Sequence, residues 1–195
     1  MPTVTDTRQN ILDAAQGITA RKGWAAVGIN EVLSAAGVPK GSFYHWFSSK
    51  DAFGEAMMRD YFKDYLGEMD TIFARPDAPA ADRLMAYWHN WRETQGMEDC
   101  QGKCLAVKLG AEVSDLSEPM RLALKEGTTG IIDRVRRMIE AGTADGSLSV
   151  DGDAGEVART LYDMWLGASV MAKIHRDLAP MDNALAATSK ILGVA

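Results

Sequence analysis

Apolar residues recur at helical spacing along nearly the whole chain, and no stretch alternates apolar with polar positions as a half-buried strand would. Ile11, Leu12, Ala15 and Ile18 share one face of a helix predicted from about Thr5 to Lys22, and Gly23 stops it. Trp24-Ala25-Ala26-Val27 reads as a short linker packing back on that helix. A second, short helix spans Gly28 to Gly37 and ends on the residue type best suited to the left-handed position of a tight turn. Pro39 precedes a third helix, where a missing N–H is harmless. Ser48 to Asp51 spells an S-x-x-D capping box. The long helix it opens, about Lys50 to Ala74, carries Phe53, Met57, Tyr61, Phe62 and Tyr65 at helical spacing, and Arg75-Pro76-Asp77-Ala78-Pro79 is a turn signal.

Beyond that turn the same period continues. A helix from about Ala80 to Gln95 places Leu84, Trp88 and Trp91 on one face. The polar run Gly96 to Gly102 reads as a break before a short helix near Cys104 to Val113. Ser117-Glu118-Pro119 opens a long amphipathic helix with Leu122, Leu124, Ile131, Ile132, Val135, Met138 and Ile139. Gly142 to Gly152 is a predicted loop, and Asp153-Ala154-Gly155-Glu156 is a second capping box, starting a helix to about Arg176. After a break at Ala179-Pro180, a last helix runs from about Met181 to Leu192. The fold class is all-α with about nine helices. The expected organisation is a three-helix head over residues 1–50 and a larger helical body over 51–195.

Two short helices about a tight glycine turn make a helix-turn-helix, a device for laying one helix into the DNA major groove. The formal net charge of −6 runs against DNA binding until it is divided. Residues 1–52 hold five Lys/Arg and four Asp/Glu, net +1, which leaves −7 on residues 53–195. Only the contacting face has to be basic, because phosphate contacts give affinity and register. An acidic body with a mildly positive head is compatible with DNA binding and argues against a protein that coats DNA non-specifically. The composition, 47% hydrophobic and 25% charged, is that of a globular domain. No apolar run approaches the roughly 20 residues of a membrane span, and the N-terminus lacks a signal pattern, so a cytoplasmic location is expected.

The head closely resembles the DNA-binding domain of the TetR family of transcriptional repressors. The resemblance rests on Ile11-Leu12-Asp13-Ala14-Ala15, Gly23, Ala36-Gly37-Val38, Lys40-Gly41-Ser42-Phe43-Tyr44-His45-Trp46-Phe47 and Lys50. It implies DNA contacts at Asn30, Lys40, Gly41, Ser42, Tyr44, His45 and Lys50. Chemically, Lys40 and Lys50 bring charges to phosphates, Ser42 and Tyr44 bring hydroxyls, and Gly41 lets the recognition helix come close to the DNA backbone. Phe43 and Phe47 are expected to point into the head's core, and a buried ring is the alternative for Tyr44. The chain departs from the family pattern at Gly28, where Ser or Thr usually caps the second helix, and at Leu33, where Ala is common.

The body resembles the TetR-family subgroup that answers to N-ethylmaleimide and other electrophiles. The matching residues are Cys104 to Leu109, Ala111-Glu112-Val113, Asp115 to Glu118, Met120-Arg121, Trp165 to Ala168 and Ala172-Lys173-Ile174. The resemblance implies that Cys104 is the sensing thiol and Lys173 its nearby amine. Acrylate-responsive members share a similar Gly-Cys-Leu stretch. From the residues alone, Cys104 falls in the first turn of a helix, where backbone N–H groups and the dipole favour a thiolate. Lys103 and Lys108 would push the same way. A small buried hydrophobe is the other reading of Cys104. Cys100 is open to a regulatory disulfide with Cys104, to a zinc site with the scattered His89 and His175, or to no role.

Trp88, Trp91, Tyr162 and Trp165 are candidates to line a small apolar pocket, with plain core as the alternative. Glu112 and Asp115 have no partner recognisable in the sequence. The expected protein is therefore a homodimer that binds a palindromic operator in double-stranded DNA, takes no cofactor or metal, is not an enzyme, and yields to an electrophile through Cys104. A non-covalent apolar or acrylate-like effector is the alternative. A helical thiol redox enzyme is the remote one, since no Cys-His-Asn order, H-E-x-x-H, P-loop or G-x-G-x-x-G stands in the chain.

Overall fold

The computed structural model describes residues 4–100 and 104–194, with side chains from Thr7 to Gly96 and from Cys104 to Val194. Among the described residues there are nine helices and no strand: α1 Val4–Lys22, α2 Ile29–Ala36, α3 Gly41–Trp46, α4 Lys50–Phe73, α5 Ala80–Cys100, α6 Leu105–Leu116, α7 Glu118–Asp145, α8 Ala154–His175 and α9 Ala179–Leu192. The chain divides into two compact units. One comprises residues 1–64 and 104–127, the other residues 65–103 and 128–195.

In the first unit, α1 packs on α2 and also meets α6. Its centre is an aromatic and aliphatic core of Ile11, Leu12, Val32, Phe43, Phe47, Phe53 and Met57, each 3% exposed or less. Phe43, Phe47 and Phe53 interlock at ring distances of 4.8–5.4 Å, and truncating one such ring to Ala costs about 3–5 kcal/mol. Gly37 ends α2 at φ +67°, its N–H and that of Val38 bonding back to Ser34 and Leu33 carbonyls, which sets the sharp turn into α3. Gly28 caps α2 without a side-chain bond, the expected result of losing the usual hydroxyl.

The second unit packs α8 on α9 and both on α5. Asp153 caps α8 as its sequence predicts, Oδ1 accepting from the N–H groups of Gly155 and Glu156 at 2.9 and 3.0 Å. The helix stops at Arg176, which takes the left-handed conformation at φ 53°. Pro180 lies in the first turn of α9 and does not break the chain there.

Three further boundaries differ from the sequence reading. The cap of α4 is Ser49, whose Oγ accepts from the Ala52 N–H at 3.0 Å, one residue after the expected Ser48. The polar run from Gly96 does not break α5, which continues to Cys100; Gly96 lies against the Leu178 side chain, so packing overrides its weak helix propensity. Finally, α7 extends past Gly142 to Asp145, with Gly142 seated against Leu148.

Candidate DNA-binding face and sensing thiol

The seven residues named for DNA contact come from three elements of the first unit: Asn30 from the first turn of α2, Lys40 from the cap of α3, Gly41, Ser42, Tyr44 and His45 from α3 itself, and Lys50 from the start of α4. Asn30, Lys40, Gly41, Tyr44 and His45 are exposed, while Ser42 and Lys50 are half-buried. Phe43 anchors α3 by its buried side, so the helix must present the residues on either side of it outward. Tyr44 is 66% exposed and touches Phe43 only edge-on at 5.3 Å, so its ring is not part of the core. A Cβ on Gly41 would meet nothing within 4 Å, so the fold itself sets no demand for glycine there. The Lys50 ammonium stands 5.1 Å from the centre of the Trp24 ring, a cation–π contact that holds the stem of α4 against the linker. Lys22 and Glu31 form an ion pair joining α1 to α2, and the hydrogen bond from Lys22 holds the Glu31 carboxyl below its ordinary pKa.

Cys104 is half-buried and is the N-cap of α6, one position before the first turn predicted for it. Its carbonyl accepts the Lys108 N–H at 3.1 Å, and the next N–H, of Leu105, donates to Tyr61 Oη on α4 at 3.4 Å. As the cap, Cys104 makes no side-chain hydrogen bond to the first turn of α6. Cys100 and Lys103 fall outside the described side chains. Lys173 is half-buried in the last turn of α8, in the second unit, and its pairing with Cys104 rests on the resemblance alone. Among the described residues no group of three His, Cys, Asp or Glu could hold a metal ion, and His89 and His175 are exposed.

Glu112, left without a partner by the sequence, has two. Its carboxylate accepts from the backbone N–H of Trp24 at 3.1 Å and of Ala25 at 2.6 Å, and Lys108 Nζ donates to the Arg21 carbonyl at 3.3 Å. These bonds tie α6 to the end of α1. The local sequence held no sign of them, because the partners lie 87 and 88 residues away.

Trp88, Trp91, Tyr162 and Trp165 are all 5% exposed or less, and they pack on one another. Trp88 and Trp165 stack at 4.9 Å and 21°, and Trp88 and Trp91 at 5.9 Å and 26°. Trp91 Nε1 donates to Ser169 Oγ and Trp165 Nε1 to Thr188 Oγ1, whereas the buried Trp88 Nε1 meets no acceptor among the described residues. A buried N–H without an acceptor is uncommon in a protein interior.

Residues 11–57 match the family described as bacterial regulatory proteins, tetR family, and residues 80–188 match the tetracyclin repressor-like, C-terminal domain. The chain is 37% identical to the HTH-type transcriptional repressor NemR of Escherichia coli (strain K12) over 187 residues, covering 96% of this chain and 94% of that one. It is 30% identical to the transcriptional regulator AcuR of Cereibacter sphaeroides, covering 89% of this chain and 80% of the relative. The crystal structure of the reduced form of E. coli NemR superposes with a TM-score of 0.90 over 97% of this chain and all of the other, at 37% identity.

Proposed function

The chain belongs to the TetR family and is a TetR-type transcriptional repressor, not an enzyme; from that premise we propose that it leaves its operator when Cys104 reacts with an electrophile or an oxidant. The DNA-binding unit is the head of residues 1–50, gripping phosphates and base edges through Asn30, Lys40, Gly41, Ser42, Tyr44, His45 and Lys50. Residues 51–195 sense the effector and hold the dimer together. Val170, Met171 and Ile174 leave an apolar stripe on α8, with Ile174 65% exposed. A second copy of the chain would cover that stripe. Two heads then read a palindrome whose half-sites lie about 34 Å apart.

The observation that carries the thiol reading is the position of Cys104 at the N-terminus of the helix that is bonded to the head. With N-ethylmaleimide the thiolate adds to the electron-poor alkene: a C–S bond forms, the π pair moves to the adjacent carbon, and that carbon takes a proton from water. With a peroxide, the thiolate attacks one oxygen: an S–O bond forms, the O–O bond breaks, and water or an alcohol leaves, so the sulfur gives up two electrons and becomes a sulfenic acid. Attack on it by the Lys173 amine would form an S–N bond and expel water. Either product releases DNA only in so far as it favours the form whose heads misfit the half-sites. In a mobility shift on the DNA upstream of the protein's own coding region, N-ethylmaleimide should free the wild type and not Cys104→Ser. Equal release from both would reject the thiol mechanism and leave the repressor intact.

A second reading keeps the repressor and makes the effector a non-covalent apolar or acrylate-like molecule held at Trp88, Trp91, Tyr162 and Trp165. The Trp88 Nε1, which meets no acceptor among the described residues, favours it, since a ligand carbonyl or carboxylate would satisfy that donor. Recovery of operator binding on dialysis without reductant is its signature.

A further inference from the structure

Cys104, Lys108 and Glu112 stand four residues apart along α6, so the three share one stripe of the helix. The second and third of them carry the bonds from α6 to the head. Lys108 Nζ reaches the Arg21 carbonyl, one of the carbonyls left without an intrahelical partner at the end of α1. Glu112 takes both backbone N–H groups of the turn that follows. Gly23 lies between these contacts in the left-handed conformation, φ +82°, and a Cβ there would come within 2.8 Å of Glu112 Oε2. A carboxylate bonded to two backbone N–H groups fixes position as well as distance, because both oxygens are engaged.

We infer that Glu112, assisted by Lys108, is a positioning residue that sets the α1–α2 turn relative to α6, giving effector chemistry at the start of α6 a route to the recognition helix that does not pass through α4. The backbone of Trp24 and Ala25 leads directly into α2, and α2 sets α3 through the Gly37 turn. A shift of α6 along its axis carries the carboxylate with it, and the turn must follow or lose both bonds. Trp24 gives the turn a further grip: its ring is buried, meets Phe53 at 5.8 Å and lies under Lys50. This inference rests on the repressor reading and adds the path of regulation.

The test uses the full chain carrying Glu112→Ala or Glu112→Gln, in two arms. In the first, hydrogen exchange and operator titration are measured without effector. Glu112→Ala should speed exchange of the Trp24 and Ala25 amides and weaken operator binding about tenfold, with Glu112→Gln in between because its amide oxygen still accepts. Unchanged exchange and unchanged affinity would overturn the inference. In the second arm each protein is titrated before and after N-ethylmaleimide. Glu112→Ala should lose most of the fold-change in affinity that the reagent produces in the wild type. Weakened binding with the full wild-type fold-change would mean that Glu112 is only structural, and would also overturn it. A wild type that binds its operator but ignores the reagent defeats the thiol reading instead, and the first arm then decides the role of Glu112.

Discussion

Gly23 and Glu112 lie so close that any side chain at position 23 would press on the Glu112 carboxylate. The glycine is required twice, once for its left-handed backbone and once for this approach. Gly23→Ala should therefore cost about 1–2 kcal/mol for the backbone and a further increment for displacing the carboxylate. In a Glu112→Ala background only the backbone part remains. Urea unfolding of the two single variants and the double variant should reveal this as a clear non-additivity, whereas strictly additive losses would show that the two residues act separately.

Lys40 and Tyr44 are exposed on the proposed DNA face and contribute little to the fold. Lys40→Ala should weaken binding evenly across DNA sequences and reduce the dependence of log K on log salt by about one unit. Tyr44→Phe should weaken operator binding with the melting temperature unchanged, since the ring is not in the core. Anisotropy titrations at several salt concentrations check both, and a large loss of stability in either variant would contradict the placement.

Much of this was legible in the sequence because the deciding interactions are local. Gly37, Asp153 and the Phe43/Phe47 pair each act within a few residues of their own position, and the structure has them as their patterns predict. What failed to show was settled by distant packing. Ser48 carries the S-x-x-D pattern, yet Ser49, one position on, takes the bond at the start of α4. Gly96 reads as a helix break, yet it lies under Leu178, which is 82 positions further along the chain. Glu112 shows no partner in the sequence, while its partners belong to another helix end. Among the proposed site residues, those of the head follow from a motif; the pairing of Cys104 with Lys173 has no local signature.

Ile174, 65% exposed on α8, should be a determinant of self-association and not of folding. Ile174→Asp should leave the helical circular dichroism intact, shift sedimentation from dimer to monomer and abolish tight operator binding, because one head alone makes only half the contacts. A variant that stays dimeric would place the interface elsewhere.

Arg134 holds Asp70 through two bonds of 2.7 Å, and this hydrogen bonding depresses the Asp70 carboxyl below its ordinary pKa. The depressed value means that the pair stabilises the folded chain above the ordinary aspartate range, and that this contribution is lost as pH falls through that range toward the lowered folded value. Asp70 is more than half exposed, so solvent screening keeps the effect below about 1 kcal/mol. Asp70→Asn should lower stability slightly at pH 7 and make no difference at strongly acid pH; an equal deficit at both would contradict the assignment.

The most direct test is one titration of a labelled operator, read by anisotropy, against protein treated with a single equivalent of N-ethylmaleimide and checked by intact mass for one adduct. The dissociation constant should rise at least tenfold for the treated wild type and stay unchanged for Cys104→Ser under the same treatment. Undiminished operator affinity in a wild type that demonstrably carries the adduct on Cys104 would contradict the thiol mechanism.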